Sequence, residues 1–297
     1  KKFAEAYYKS GLRKHDLKDY EGAISDYIKA INLDPEFSEA YNKRGLAKHD
    51  LKDYEGAISD YIKAINLDPK YSEAYKNRGN VKLDQKKYNS AINDYTKAIN
   101  LDPKYADAYY NRGIAKHDLK DYKGAIRDYT EAINLEPEFS EAYNNRGIVK
   151  LDQKKYKSAI SDHTKAINLD PEFTISYFNR GLAKYNQKDY MGALSDYTKA
   201  INLDPKDDEF YKARADVKFD QYKYKSAIND YTKAINLDPK YTDAYFNRGL
   251  AKYLIKDYEG SINDYTKAIN LDPEEYIYYQ SRASSKLEIG DMDGKCY

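Results

Sequence analysis

The sequence predicts an all-α solenoid, and three observations carry that expectation. All eight prolines, from Pro35 through Pro69, Pro103, Pro137, Pro171, Pro205 and Pro239 to Pro273, fall 34 residues apart. Most of them close the same phrase, Ala-Ile-Asn-Leu-Asp-Pro. Each interval between them reads as two helices of roughly 13 residues joined by tight turns. A fixed period across the whole length means one supersecondary unit stacked many times, not a globule around a single core. Such a body presents long, regular surfaces, and regular surfaces are suited to binding.

The second copy, Ser38 to Tyr71, shows the plan. Ser38-Glu39-Ala40-Tyr41 opens a helix, with the serine as cap and the glutamate suited to the helix dipole. Equivalent caps are expected at Ser72, Ser140, Thr174, Asp208 and Thr242, with Ala106 the weak copy. The helix is expected to run to about Leu51 and to break at Lys52-Asp53. Asp53 then caps a second helix from Tyr54 to about Asn66. Leu67-Asp68-Pro69 ends it, because the residue before a proline is pushed out of helical geometry. The opening Lys1-Lys2-Phe3-Ala4-Glu5 already reads as helix and lacks a start methionine, which reads as a fragment of a longer chain.

Period and landmarks together resemble the tetratricopeptide repeat family. The matching residues of the second copy are the aromatic Tyr41, the small Gly45 and Ala57, then Tyr61, Ala64 and Pro69. The resemblance covers residues 4 to 275 and implies a right-handed superhelix, the first helix of each unit lining a concave face. One solenoid over 1–297 is expected, with repeats at about 4–37, 38–71, 72–105, 106–139, 140–173, 174–207, 208–241 and 242–275, and a partial ninth at 276–297. Alternate copies differ: Val81, Val149 and Val217 go with Ser90, Ser158 and Ser226. Their neighbours carry alanine and glycine in the same columns, so the longer period is a 68-residue pair.

Bulk properties narrow the function. Fifty basic against 49 acidic residues give a formal charge of +1, which offers no electrostatic case for nucleic acid. No apolar run approaches membrane-spanning length. The lone Cys296 excludes an internal disulfide framework and fits a reducing, cytoplasmic setting. Nothing resembles a phosphate loop, a nucleophile elbow or a metalloprotease helix. His15, His49 and His117 share one column, but Leu83 breaks it and the metal-ligand set is incomplete, while His163 takes a tyrosine's place in the core. No cofactor, no metal and no catalysis are expected.

Charges stand where the family usually places apolar residues. Tyr41, Arg44, Gly45 and Lys48 share the side of the first helix that meets the second, and the second answers with Asp60. Arg112, Lys116 and Asp128 repeat the triplet, as do Arg180, Lys184 and Asp196, and Arg248, Lys252 and Asp264. Ser10 replaces the arginine in the first unit. Either these cations form a basic stripe for acidic ligands, or they form an internal ladder of ion pairs. Unpaired inward charge would cost several kcal/mol, which favours the ladder.

The opposite side of the first helix is left for a ligand. One of its columns reads Lys9, Lys43, Asn77, Asn111, Asn145, Asn179, Ala213 and Asn247. A primary amide offers a donor and an acceptor together, so a row of them can hold an extended peptide backbone. In this the chain looks similar to the superhelical repeats of O-linked N-acetylglucosamine transferase. The alternative is that asparagine is a soluble filler in an Asn-rich chain. Acids flank the row, Glu39, Glu73, Asp107 and Glu141 on one side and Asp50, Asp84, Asp118 and Asp152 on the other. Apolar Ile114 and Ile148 lie between them with Tyr110 and Phe178.

The combination predicts a protein-interaction scaffold whose groove holds an extended basic and apolar segment. Co-chaperones of the family grip a terminal carboxylate with Lys, Asn, Asn, Lys and Arg. Lys76, Asn80 and Asn111 match the first three places, but Glu141 and Asn145 stand in the last two, which disfavours that ligand. Two alternatives stay open. One is a spacer or rod that self-associates through open repeat ends, and the other a substrate-recruiting module of a larger protein.

Overall fold

The computed structural model describes residues 1–290, so Cys296 and the end of the ninth unit lie outside the described residues. Seventeen α-helices and no strand occur among the described residues. Contacts group the chain into two compact units, one over Lys1–Val149 and the other from Lys150 onward.

Within each unit the repeats follow one plan. In the second repeat the first helix is Ser38–Asp50 and the second is Tyr54–Leu67. In the first unit each second helix packs on its own first helix and on the first helix of the repeat that follows. The second unit follows the same order from the helix Tyr156–Leu169 to the helix Tyr276–Glu288. No helix among the described residues is long and apolar enough to cross a membrane.

The starts of the first helices differ from the sequence expectation. Ser38, Ser72, Ala106, Thr174 and Thr242 are not caps but first helical residues, and the caps are Phe37, Tyr71, Tyr105, Phe173 and Tyr241, without a side-chain hydrogen bond. Asp208 is likewise inside its helix, and Asp207 caps it by accepting from the Glu209 N–H. The hydroxyl of Ser38 donates instead to Glu39. Packing explains the choice. Phe37 lies against Ala30, Ile31 and Ala40, and its ring centre is 4.9 Å from that of Tyr8. Burying an aromatic ring is worth more than one exposed cap.

Second helices begin as expected where the cap is aspartate. Asp53 accepts from the Gly56 N–H at 3.0 Å, and Asp121 does the same for Gly124. Lys87, Lys155 and Lys223 occupy this place in the alternate repeats and make no side-chain cap. The turn before the cap has a feature the sequence conceals. Lys52, Lys120 and their equivalents are left-handed, with φ of 63° and 61°, although they carry side chains.

The core is thin and made mostly of small residues. Ala57, Tyr61 and Val81 pack together fully buried, as do Ala91, Tyr95 and Ala115. Glycine faces the tyrosine ring in most repeats, where a Cβ would crowd it (on Gly113 it would stand 2.7 Å from the Tyr129 ring), while Ala215 takes this place beside Tyr231 in the second unit. In the second unit His163 takes the tyrosine's place, is fully buried, and its ring nitrogens have no hydrogen-bond partner in the protein. Burial outweighs the attraction of Asp162 and pushes its pKa down to about 4.

The inward charges form a ladder. Asp60 receives Arg44 Nε at 2.9 Å and Lys48 Nζ at 2.8 Å while only 3 % exposed. Asp128 holds Arg112 Nε and Lys116 in the same way at 2.8 and 2.7 Å. The second unit has Arg180 and Lys184 on Asp196, and Arg248 and Lys252 on Asp264. Where Ser10 replaces arginine, Asp26 takes the Ser10 hydroxyl at 2.7 Å and Lys14 at 2.6 Å. Burial alone would raise the Asp26 carboxyl, but the bonds from Lys14, Ser10 and Lys29 outweigh it and hold the group at about 2.

These contacts set three expected outcomes. Asp128→Ala leaves Arg112 and Lys116 facing a buried void and should cost about 3 kcal/mol in urea unfolding. Lys120→Gly relieves a left-handed side chain and should stabilise by about 1 kcal/mol in the same assay. His163 binds a proton more readily unfolded, near its ordinary 6.5, than folded, near 4. Its share of stability is therefore complete above 6.5 and is lost as pH falls towards 4. Denaturation midpoints across that window should show a slope that His163→Tyr removes.

Candidate functional site

The asparagine column binds repeats to one another. In the first unit Asn77 donates from Nδ2 to Oδ1 of Asn42 at 3.1 Å, and Asn111 to Oδ1 of Asn80 at 3.1 Å. Asn145 donates to the Tyr110 hydroxyl at 2.9 Å. Each donor belongs to one repeat and each acceptor to the repeat before it. Asn77 is only 2 % exposed, so its amide is spent within the stack. Asn111 and Asn145 are half-buried and keep acceptor capacity on their oxygens, although Asn145 Oδ1 also takes the Asn144 amide. In the second unit Asn179 is buried, and Asn247 donates to Asp216 at 3.3 Å.

The flanking acids fall into two groups. Glu73 is half-buried and paired with Lys43 at 2.8 Å, with the Tyr71 hydroxyl donating to its other oxygen. Burial pushes its pKa up, but the Lys43 bond and charge prevail and leave it below the usual carboxylate value. Asp84 is exposed and meets Nε2 of His49 at 2.7 Å, as Asp50 meets His15 at 2.8 Å. Asp107, Asp118 and Glu141 are exposed in the first unit and Asp152 in the second.

The apolar members also divide. Tyr110, Ile114 and Ile148 are half-buried. Tyr110 lies 4.7 Å, centre to centre, from Phe139, and burial and the Glu141 charge push its phenol pKa up. Phe139 in turn walls a cavity of about 530 Å³ with Glu136, Glu138 and Glu141. Phe178 belongs mainly to the core, 9 % exposed and packed on Tyr197 and Phe210. The structure thus gathers Tyr110, Asn145, Glu141 and the Phe139 cavity in the first unit, and puts Asn77 and Phe178 inside.

One set of partners was invisible to the column reading. Arg112 Nη1 donates to Thr96, and Arg146 to Thr130, each on the second helix of the preceding repeat at 3.0 Å. In the second unit Arg214 reaches Thr198 and Arg248 reaches Thr232. The constant spacing of 16 residues between threonine and arginine was the available signal.

Helical hairpins of fixed length, stacked in register with small residues at the crossing, define a helical-repeat protein. TPR repeat models match residues 11–52, 45–86, 79–120 and 215–256. Tetratricopeptide repeat models match 106–139, 140–173, 175–207 and 242–275. The chain belongs to the tetratricopeptide repeat family. No curated protein matches it.

Among solved structures it is similar to YrrB, "a TPR protein with an unusual peptide-binding site". The identity is 24 % over 60 % of this chain and 92 % of that one, with a TM-score of 0.52. MamA is 29 % identical over 58 % of this chain and 94 % of its own, at 0.53. PilF of Pseudomonas aeruginosa is 20 % identical over 72 % and 97 %, at 0.63. With YrrB and PilF the likeness is one of fold.

Proposed function

We propose that the chain is a non-catalytic interaction scaffold that holds an extended basic and apolar partner segment against the first helices of its repeats. The observation that carries this reading is the surroundings of Tyr110 in the first unit. There a half-buried aromatic ring, the amide of Asn145, exposed Glu141 and the acidic cavity beside Phe139 adjoin one another. Apolar area supplies the attraction, the acids select cationic side chains, and the Asn111 and Asn145 oxygens accept backbone N–H groups. The solved relative YrrB, which is described as having a peptide-binding site, is consistent with this use of the fold. The tetratricopeptide repeat itself serves protein interaction, which makes a scaffold the general role.

Peptide-display selection on residues 1–297 tests it beside an Asp107→Asn/Glu141→Gln variant, whose changes lie on exposed side chains. Enrichment of basic, apolar peptides that the variant binds about tenfold more weakly is the expected outcome. Selection indifferent to the variant would remove this face from consideration. An absence of any enriched peptide would favour a spacer or self-associating array.

A further inference from the structure

The seventh repeat, in the second unit, departs from the others at two adjacent turns of its first helix, Asp208–Asp220. Ala213 stands in the column that Asn179 and Asn247 occupy, which removes an amide and opens space. Asp216 stands where the neighbouring repeats have Leu182 and Leu250 and the third repeat has Asn80, which puts a carboxylate between two aliphatic levels. A cavity of about 160 Å³ lies where these changes meet, walled by Phe178, Leu182 and Tyr185 of the sixth repeat and by Tyr241. It shares Tyr185 and Asp216 with an adjoining cavity of about 300 Å³ that Asp220 also lines.

The charges in this hollow are unequal. Glu209, Asp216 and Asp220 line the two cavities, and Lys212 is the one cation lining them. Lys212 reaches Asp216 Oδ2 at 2.8 Å, one turn away on the same helix. The other oxygen of Asp216 takes the Tyr231 hydroxyl at 2.7 Å and Asn247 at 3.3 Å, while Asp220 takes the Tyr185 hydroxyl at 2.7 Å. Every bond to these acids comes from a phenol, an amide or that single lysine. Glu209 lies three residues before Lys212, and burial with the charges of Asp207 and Asp208 pushes its pKa up. The attraction of Lys212 works in the other direction and does not offset them.

We infer that this hollow receives one cationic side chain, an arginine or lysine on an extended partner segment, lodged between the aromatic wall and the Glu209–Asp216 edge. The inference rests on the scaffold reading above and adds a place and a charge to it. Aromatic faces and a partly desolvated carboxylate attract a guanidinium together, because the ring quadrupole and the acid act in the same direction. Lys212 marks the position a ligand cation would take, and it competes with that cation. A groove that bound only by apolar contact would be indifferent to it.

Calorimetric titration of the full chain with the blocked peptide acetyl-Ala-Leu-Arg-Leu-Ala-amide, and with its citrulline analogue, tests the inference. The arginine peptide should bind about tenfold tighter than the uncharged analogue. Glu209→Gln should erase that preference, whereas Lys212→Met, by removing the competing cation, should strengthen arginine binding several-fold. Glu259→Gln, an exposed change on the second helix Tyr258–Leu271 and away from both cavities, should change nothing. Equal affinity for the two peptides, weaker binding by Lys212→Met, or no saturable binding would overturn the cation site. Display selection sensitive to Asp107 and Glu141 would still stand in that case, so the two readings fail separately.

Discussion

Each repeat is organised around one buried carboxylate. Asp128 draws Arg112 and Lys116, one helical turn apart, onto the second helix of their own repeat. Arg112 also lies over the Tyr109 ring at 5.5 Å and donates backwards to Thr96. A single guanidinium therefore fixes helix against helix and repeat against repeat. Charge pairs of this kind add little net stability over apolar residues of equal volume, because desolvation offsets most of their attraction. Their geometry is directional, however, and a stack of small, shared interfaces needs register more than it needs area. The alanine- and glycine-rich core follows, since arginine and lysine stems already fill much of the space between helices.

That constraint also decides what is left for a ligand. With Arg, Lys and Gly facing the second helix, the acidic and amide columns of the first helix must face elsewhere. The amides then do two tasks. Asn111 spends its donor on Asn80 of the preceding repeat and leaves its oxygen available. A partner held there, as proposed, would lean on groups that also hold the stack, which would couple binding to repeat spacing through the same side chains.

The parts legible in the sequence were those set by period and by complementary columns. Proline every 34 residues gave the repeat, and inward Arg, Lys and Asp at matching heights gave the ladder. The parts that escaped depend on a neighbour's position. A helical wheel gives the direction of Asn77 but not that Asn42 waits 35 residues earlier to receive it. Ser38 satisfied a local rule for caps, yet Phe37 packs on the preceding repeat and moves the helix start. Lys52 carried no glycine to announce a left-handed turn. The alternation of paired repeats has a chemical content as well. A Cβ at Gly124 would stand 2.0 Å from Asp121 Oδ2, so glycine accompanies the aspartate cap, and serine is tolerated only where lysine replaces it.

Repetition within one chain separates architecture from recognition. The carboxylate column is aspartate at every level, from Asp26 through Asp128 to Asp264, because every repeat must solve the same packing problem. The column beside the asparagines reads Tyr8, Asn42, Lys76, Tyr110, Asn144, Phe178, Lys212 and Phe246, with no common size, charge or polarity. Part of this divergence is local packing, since Asn42 bonds to Tyr71 and Asn77 while Phe178 packs on Tyr197 and Phe210. The differences between neighbouring levels are what a bound segment could read, residue by residue. Asn42, Asn144 and Phe178 are buried, so in the proposed scaffold only the half-buried levels of this column, such as Tyr110 and Lys212, would be open to a partner and could add selectivity to the regular asparagines next to it.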